Sequence, residues 1–200
     1  MGRKEQAEAS RAGLLAAARQ CFKERGYEAT TVAAILERAG MARGALYHYF
    51  PGGKREVFGA VFEMLNEAFH QRRDAILKLD SPLARLRAGF RVFLELCTED
   101  DFARIALIDA PILVPGQAGR GSSYELLRSQ LEEATAAGHF QGIQAEAMAM
   151  AFYGAVRSAG EYVISSPHRK RAMDEATRAL DRLVDGLALD PSESGVARGS

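Results

Sequence analysis

Residues 26–54 constrain the fold of this 200-residue chain more than any other stretch, because two short amphipathic helices meet there at a glycine. The first helix is predicted over residues 31–39, and Gly40 closes the turn that follows it. The second is predicted over residues 42–48 and ends ahead of Pro51, because proline disfavours helical geometry at the residue before it. Two helices joined by a tight glycine turn form a helix-turn-helix.

The second of these helices has an outward face with little side-chain bulk. Ala42, Gly44 and Ala45 are small, and Arg43 is the one long donor at the start of the helix. A slim basic helix can enter the major groove of DNA, where an arginine can make a bidentate contact with a guanine edge. The stretch therefore predicts a DNA-reading element whose base contacts depend mainly on Arg43.

Composition and charge agree with a helical globular protein that touches a polyanion at one end. The chain is 48% hydrophobic and 26% charged and holds only six prolines, which favours a helical fold with a sizeable core. Its net charge is zero, yet residues 1–60 hold ten Lys and Arg against six Asp and Glu, whereas residues 61–200 hold sixteen against twenty. This asymmetry indicates a polyanion contact confined to the N-terminal segment.

Apolar residues recur at helical spacing through the rest of the chain, so we predict an all-α protein of about nine helices. A three-helix head over residues 8–53 precedes a larger helical body over residues 54–190, and residues 191–200 form a flexible polar tail. The helix that starts at Lys54 runs to about Lys78 and keeps one apolar stripe. We expect it to be the mechanical link between head and body.

Local signals place the ends of several helices. Thr30 is predicted to cap the first helix of the motif, and Gly26 is predicted to take the left-handed position after the N-terminal helix. A short helix is predicted to stop before Pro111, where a mobile loop rich in Pro and Gly begins and runs over residues 111–121. Ser122 opens a capping box for the next helix.

Residues around the motif recur at spacings typical of one known family. They are Phe22, Gly26, Tyr27, Thr30, Thr31, Val32, Ile35, Ala39, Gly40, the run from Gly44 to Pro51, Lys54, Val57 and Phe58. Over residues 8–60 the chain resembles the DNA-binding domain of the TetR (tetracycline-repressor-type) family. The resemblance implies that four side chains contact phosphates, namely Thr31, Tyr47, His48 and Lys54.

The chain departs from the family pattern at two places. Many members have serine where Ala42 stands, and a serine there would cap the recognition helix and could reach a phosphate. The turn over residues 51–54 is one residue longer than the commoner form. Phosphate contacts set the register on DNA, whereas base contacts set the sequence preference. The expected DNA-binding residues are Thr31, Ala42, Arg43, Gly44, Ala45, Tyr47, His48 and Lys54.

The last two predicted helices carry more apolar surface than one subunit needs. The first is rich in Ala and Gly, and the second repeats apolar residues at alternating steps of three and four, the seam spacing of packed helices. One pair from each of two subunits would form a four-helix bundle with a two-fold axis. The expected dimer residues are Ala151, Gly154, Ala155, Met173, Leu180, Leu183 and Leu187. The alternative is that the first of these helices is the central core helix of a monomer.

Aromatic and aliphatic residues of the body could surround a small-molecule cavity, since such sites are apolar clefts with a few polar groups. The sequence leaves open which of them line a pocket and which are plain core. The expected ligand-binding residues are Phe62, Phe90, Phe93, Cys97, Ile108, Tyr124, Phe152 and Arg157.

Nothing in the sequence indicates catalysis or metal binding. The aspartates near residue 100 and the isolated histidines match no ligand set, and the two cysteines, Cys21 and Cys97, lie on apolar helix faces. No signal peptide and no apolar span of membrane length is found, so we expect a cytoplasmic protein without membrane contact. We expect no cofactor, no metal and no enzymatic activity.

These features together predict a ligand-responsive, dimeric transcriptional regulator. We expect a repressor that binds a pseudo-palindromic double-stranded DNA operator as a homodimer and is released by a small, largely apolar effector. Two alternatives stay open. A ligand-independent DNA-binding regulator or activator would have the head with a filled body core, and a helical small-molecule-binding protein or enzyme would not need the basic head.

Overall fold

A computed structural model describes residues 2–113, 122–140, 142 and 144–188. Within these ranges the chain forms helices joined by turns, and it contains no strand. The elements are α1 (Arg3–Ala29), α2 (Val32–Ala39), α3 (Arg43–Tyr49), α4 (Lys54–Leu77), α5 (Pro82–Cys97), α6 (Asp100–Phe102), a π-helix (Ala103–Asp109), α7 (Ala110–Leu113), α8 (Ser122–Ala136), α9 (Ala145–Ser165) and α10 (Arg169–Leu187). The predicted all-α fold is confirmed.

The chain divides into two compact units. The first comprises residues 1–68 and 99–118, and the second comprises residues 69–98 and 119–200. The division falls inside α4, and it assigns α6, the π-helix and α7 to the same unit as the helix-turn-helix. The sequence placed these three elements in the body instead. The domain boundaries expected from the sequence therefore stay a prediction.

Each of the first four helices contributes a large buried side chain to the first unit. Phe22 on α1, Ile35 on α2, Leu46 on α3 and Phe58 on α4 are fully buried. The ring of Phe22 lies 5.2 Å from that of Phe58, edge to face, and 5.9 Å from that of Tyr27, stacked. This core fixes α2 and α3 against α1.

The junction between α1 and α2 differs from the prediction in two details. Gly26 has φ 71° and ψ 175°, a positive-φ conformation that favours glycine but is not the left-handed helical form. Thr31, rather than Thr30, caps α2, since its Oγ1 accepts from the N–H of Ala34 at 3.1 Å. Thr30 is fully buried, and its hydroxyl donates to the Gly26 carbonyl at 2.7 Å. Two adjacent threonines both suit a cap, which explains the error of one residue.

The turn between α2 and α3 is the one that the sequence predicts. Gly40 adopts the left-handed conformation, with φ 65° and ψ 33°, and its N–H donates to the Glu37 carbonyl. The N–H of Met41 donates to the Leu36 carbonyl at 3.0 Å. The Met41 side chain reaches α1, where its terminal carbon lies 3.8 Å from a Cβ built on Gly13. It therefore fills the space between the helices.

Residues 100–113 form one helical stretch that is longer than predicted. It runs through Pro111 to Leu113 instead of stopping before the proline. The π-helix lies directly ahead, and the N–H of Ala110 donates to the carbonyl of Ile105, five residues back. A widened turn of this kind makes room for the proline ring, which would clash with the carbonyl four residues back in an ordinary helix.

Ion pairs and hydrogen bonds join this stretch to α1, and two of them involve buried or partly buried groups. Arg19 on α1 forms an ion pair with Asp101, which is 7% exposed. The backbone N–H of Tyr27 donates to the Asp109 carboxylate at 3.0 Å. The segment that leads from α1 to α2 is therefore held by the end of the π-helix.

The second unit packs α5, α8, α9 and α10 around a common apolar core. Its buried side chains include Leu86, Phe90, Leu94, Cys97, Leu131, Phe152, Val163, Leu180 and Val184. Ser81 caps α5 ahead of Pro82, and its Oγ accepts from the N–H of Ala84 at 3.4 Å. Gly138, with φ 82°, ends α8.

α5 and α9 come into close contact at Gly160. A Cβ at this position would lie 2.9 Å from the Phe93 ring and 3.0 Å from the Cys97 sulfur. The absence of a side chain at Gly160 thus allows α5 and α9 to approach more closely than a larger residue would permit.

α5 also contacts α10, since Arg87 on α5 forms an ion pair of 2.6 Å with Asp185 on α10.

Two expectations concern residues outside the described ranges, and a third lies at the edge of a described range. The mobile loop predicted over residues 111–121 lies there from residue 114 onwards, and so does the tail over residues 191–200. The capping box predicted at Ser122 begins next to that gap.

Candidate nucleic-acid interface

α3 has one buried face and one open face. Leu46 is fully buried beneath it. The residues of the open face are exposed or, for Ala45, partly exposed: Ala42, Arg43, Gly44, Ala45, Tyr47 and His48. The sequence prediction therefore identified the accessible face of α3 correctly, although its contact with DNA stays a prediction.

Ala42 occupies the N-cap position of α3, and its side chain makes no capping hydrogen bond. A serine at this position would supply the missing acceptor. Arg43 follows directly and is exposed at the first helical position. At the start of the open face, the long cationic side chain of Arg43 thus lies among small residues.

Tyr47 and His48 lie near the C-terminal end of α3. Tyr47 is 49% exposed, and its ring is 3.5 Å from a Cβ built on Gly53. Gly53 has φ 68°, so the long turn after α3 uses a glycine conformation that packs beside the Tyr47 ring. The exposed His48 ring stands edge-on to Tyr49 at 4.9 Å. Both side chains are held at the edge of the open face.

Thr31 combines a structural bond with an exposed position. Its oxygen accepts from the N–H of Ala34, which leaves the hydroxyl proton available to donate. The residue is exposed at the start of α2. A phosphate contact from Thr31 is therefore compatible with its role as a cap.

Lys54, for which the resemblance implied a phosphate contact, makes polar contacts within the head, and its contact with DNA stays a prediction. Its ammonium group donates to the carbonyls of Tyr27 and Thr30, each at 2.9 Å, and lies 4.0 Å from the centre of the Tyr27 ring. Carbonyls at the end of a helix have no partner within it, and an aromatic face attracts a cation. Burial raises the pKa of Tyr27, so the ring stays neutral beneath the ammonium group. Lys54 therefore braces the end of α1 against the start of α4.

A second polar contact between helices, which the sequence did not reveal, joins α1 to α2. Arg38 donates two hydrogen bonds to the carboxylate of Glu24, both of 2.6 Å. The bond from Arg38 lowers the pKa of Glu24. The two residues are 14 positions apart, outside the spacing of neighbours on one helix, so no local pattern indicates the pair.

The residues expected around an effector are divided between the two units. Phe62 is buried on α4 and Ile108 lies on the π-helix, both in the first unit, whereas the other six lie in the second. Ile108 is 44% exposed while its neighbour Leu107 is 8% exposed. Ile108 therefore lies on the outer side of the π-helix, which turns its other side to the core, and a contact of Ile108 with an effector stays a prediction.

Three apolar members in the second unit are core residues, whereas Phe93 is partly exposed. Phe90 stacks on Phe152 at 5.6 Å, and both are buried. Cys97 is fully buried, and burial raises the pKa of its thiol to about 12. The thiol is therefore neutral and unreactive at neutral pH.

The polar members of the predicted effector set have protein partners. The Tyr124 hydroxyl donates to the Glu146 carboxylate at 2.7 Å, which joins α8 to α9. Arg157 lies 3.3 Å from the Glu161 carboxylate, one turn along α9. An effector that used either group would have to share or replace these bonds.

α9 turns a stripe of small side chains towards the exterior of the chain. Ala147, Ala151, Gly154 and Ser158 are exposed at helical spacing, and Ala155 is partly exposed. A Cβ on Gly154 would meet nothing within 4 Å. This face of α9 is open in a single chain.

α10 corrects the predicted dimer seam. Leu180 is 2% exposed, whereas Leu183 is 48% exposed and Leu187 is 41% exposed. The buried positions of this helix repeat every four residues: Ala172, Ala176, Leu180 and Val184. The alternating spacing read from the sequence therefore mixed two faces. Leu180 belongs to the core of one chain, Met173 is partly buried, and the two outer leucines lie on the open face.

A helix-turn-helix with a slim open second helix, followed by a helical body, defines a DNA-binding protein. Two family sequence models match the chain, "Bacterial regulatory proteins, tetR family" over residues 14–61 and "Tetracyclin repressor-like, C-terminal domain" over residues 83–187. The chain belongs to the TetR family of transcriptional regulators, and the resemblance noted in its sequence is confirmed.

Characterised relatives match parts of the chain. The transcriptional regulator LmrA of Bacillus subtilis is 32% identical over 97 residues, which are 46% of this chain and 50% of LmrA. The transcriptional repressor KstR2 of Mycobacterium tuberculosis is 36% identical over 90 residues, which are 45% of each chain. The chain thus spans about half the length, or less, of the curated relatives it matches.

Solved structures match nearly the whole chain. A TetR-family regulator from Pectobacterium atrosepticum has a TM-score of 0.75 at 29% identity and covers 96% of this chain and 100% of its own. The regulator FadR of Bacillus subtilis, in complex with stearoyl-CoA, has a TM-score of 0.76 at 17% identity, covers 88% of this chain and 98% of its own, and shows the shared fold alone. Among the described residues, no helix is both long and apolar enough to cross a bilayer.

Proposed function

We propose that this regulator is a homodimeric repressor that binds a pseudo-palindromic operator and is released by a small, largely apolar effector. The observation that carries the proposal is the open face of α3, where Arg43 is exposed among small residues. Arginine at the start of a recognition helix can reach a guanine edge, while Thr31, Tyr47 and His48 are placed to contact phosphates.

Dimerisation is supported by the open faces of the last two helices. Exposed small residues of α9 and the exposed leucines of α10, Leu183 and Leu187, offer an apolar surface that a second copy could cover. A two-fold dimer pairs the same surface on both subunits and presents two recognition helices to one operator. Half-sites about 34–36 Å apart then follow from the repeat of DNA.

Release by an effector requires a route from the second unit to the head. The chain passes between the units at three points, and two of them lie in described residues, within α4 and between Cys97 at the end of α5 and α6. The stretch that follows α5 is bonded to the head through Asp101 and through Asp109, whose carboxylate accepts from the Tyr27 N–H. An effector shifts the equilibrium only if it binds the released form more tightly than the DNA-bound form.

Relatives with known names support regulation by an apolar molecule. The FadR structure from Bacillus subtilis contains stearoyl-CoA, and KstR2 is called a ketosteroid transcriptional regulator. The buried pair Phe90 and Phe152 gives the second unit of this chain an apolar interior, which suits an apolar effector.

The substitution Arg43→Ala tests the proposed reading of DNA. On a duplex selected from a random library, the variant should bind about 1–3 kcal/mol more weakly than the parent and discriminate less between bases at one position of each half-site. Arg91→Ala, which removes an exposed arginine from α5, is the matched control and should leave affinity unchanged. Equal losses on selected and random duplexes would reduce Arg43 to a phosphate contact.

A further inference from the structure

The last turn of α1 is set apart from the rest of that helix by Gly26. The backbone of Gly26, with φ 71° and ψ 175°, interrupts the helical geometry and leaves residues 27–30 as a separate turn. A hydrogen bond of 3.1 Å from the N–H of Thr30 to the Tyr27 carbonyl closes this turn. Thr31 follows directly and caps α2. The position of the turn over residues 27–30 therefore determines where α2 begins.

Two opposite charges hold this turn from its N–H side and its carbonyl side. The Asp109 carboxylate accepts from the N–H of Tyr27 at 3.0 Å. The Lys54 ammonium group donates to the carbonyls of Tyr27 and Thr30, each at 2.9 Å. N–H groups at the start of a helical turn carry partial positive charge and carbonyls at its end carry partial negative charge, so the sign of each side chain matches the peptide groups that it contacts.

Arg104 on the π-helix packs against both Gly26 and Asp109. A Cβ built on Gly26 would overlap the Arg104 guanidinium group, so the two come together only because Gly26 has no side chain. The Nε atom of Arg104 lies 3.5 Å from the Asp109 carboxylate, and the Asp109 side chain is 12% exposed. A carboxylate that is largely shielded from water forms a stronger hydrogen bond with an N–H group than an exposed one does.

The stretch that contains Asp109, residues 100–113, is bonded to the helices that precede and follow the helix-turn-helix. Asp101 at its start forms an ion pair with Arg19 on α1. At its end, the Leu113 carbonyl accepts from Nη2 of Arg55 on α4 at 2.8 Å. Asp109 is therefore fixed relative to both α1 and α4, although it comes more than fifty residues after the recognition helix in the sequence.

We propose that Asp109 is a positioning residue for operator binding. It holds the turn over residues 27–30, which sets Thr31 and the start of α2, and the tight turn at Gly40 joins α2 to the recognition helix. The assignment rests on the proposed function and adds to it a residue that itself touches no DNA. Without the carboxylate the turn samples other positions, and the apparent affinity falls with the fraction of molecules in the binding-competent form.

The affinity of the full chain for a library-selected duplex tests the assignment, because charge and positioning predict opposite signs. Removal of a carboxylate should by charge alone strengthen attraction to phosphates. Asp109→Leu should instead bind about tenfold more weakly, the loss expected for one charge-assisted hydrogen bond. Asp109→Asn keeps an acceptor oxygen and should bind nearly as tightly as the parent. Glu63→Leu, at an exposed carboxylate of α4, is the control with the same change in charge and should bind no more weakly than the parent.

Hydrogen exchange of backbone amides, followed by mass spectrometry, separates local positioning from a general loss of stability. Asp109→Leu should speed exchange in a peptide that covers residues 26–31 and leave the peptides of α8 unchanged, whereas Asp109→Asn should resemble the parent in both. Faster exchange in both places would show a general structural role and would overturn the assignment. An affinity of Asp109→Leu equal to or above that of the parent, or Asp109→Asn as weak as Asp109→Leu, would overturn it as well.

Binding by the parent protein keeps the two proposals distinct. Tight binding by the parent that Asp109→Leu retains would reject the role of Asp109 and leave the regulator proposal standing. A parent that binds no duplex from the library would reject the regulator proposal, and operator positioning with it. The exchange rates of residues 26–31 would in that case still show whether Asp109 holds the turn.

Discussion

Lys54 illustrates how one side chain can serve the fold where a family pattern implies a contact with DNA. Its ammonium group is shared between two carbonyls at the end of α1 and the ring of Tyr27. Both α4 and the segment between α1 and α2 are fixed by this one group. The position of the recognition helix therefore depends on Lys54 indirectly, through the packing of the head.

The substitution Lys54→Met distinguishes these two roles. It removes the charged hydrogen bonds while keeping a long apolar stem, and it should lower the free energy of unfolding by about 1–3 kcal/mol. The salt dependence of operator affinity should not change, because no phosphate contact is lost. Lys23→Met removes a lysine of α1 whose carboxylate partner, Asp100, is 4.0 Å away and 63% exposed, and it should alter stability little. A shallower salt dependence for Lys54→Met would restore the phosphate contact.

Residues on a repeating pattern were predictable from the sequence, whereas residues paired across the fold were not. The exposed face of α3 follows from the spacing of Leu46 and its neighbours. Gly40 predicts the turn before α3, because only a few residue types suit a left-handed cap. The bonds of Lys54 depend on where α4 starts relative to α1, which local spacing does not encode. The choice between Thr30 and Thr31 as the cap was likewise settled by burial.

At the scale of elements, the close contact of α5 with α9 determines how the second unit packs. Gly160 allows it, since the Phe93 ring and the Cys97 sulfur lie where a side chain would begin. A closely packed interior tolerates added atoms poorly, because neighbouring side chains are already in contact.

The substitution Gly160→Ala should therefore destabilise the protein by about 1–3 kcal/mol, as measured by chemical denaturation. Gly186→Ala on α10 is the matched control, because a Cβ there meets nothing within 4 Å. The control should be neutral or stabilising by up to about 1 kcal/mol, since alanine favours a helix more than glycine does. Equal stability of the two variants would mean that α5 and α9 separate at little cost.

The ends of elements show where local sequence rules stop applying. Pro111 suggested a helix end, yet a π-helix ahead of it makes room for the ring and the helix continues to Leu113. α10 offered two overlapping apolar spacings, and burial of Leu180 selects the one with steps of four. In each case, packing against another element decided between patterns that the sequence allowed.

At the scale of the whole molecule, the proposed function requires two copies of the head. The leucines left exposed on α10 and the small residues exposed on α9 are the surfaces that a second copy would cover. Fold and family could be inferred from the motif and the helical periodicity. The residues that contact an effector could not, because periodicity alone does not show which apolar residues become plain core after the helices pack.

The double substitution Leu183→Glu with Leu187→Glu should convert the dimer to a monomer, because it places four carboxylates in an apolar interface. Sedimentation velocity would report the mass. Leu77→Glu with Leu79→Glu changes two other exposed leucines by the same charge and should leave the dimer intact. A dimer that survives the first pair of substitutions would place the interface elsewhere.

Operator binding by paired heads is tested most directly by the affinity of the full chain for a library-selected duplex as salt is raised. Counterion release predicts that the logarithm of the association constant falls linearly with the logarithm of salt concentration, with a loss of about tenfold or more between about 50 and 200 mM. The bound species should contain two chains per duplex. Affinity that is independent of salt, or saturation at one chain per duplex, would contradict a dimeric operator-binding regulator.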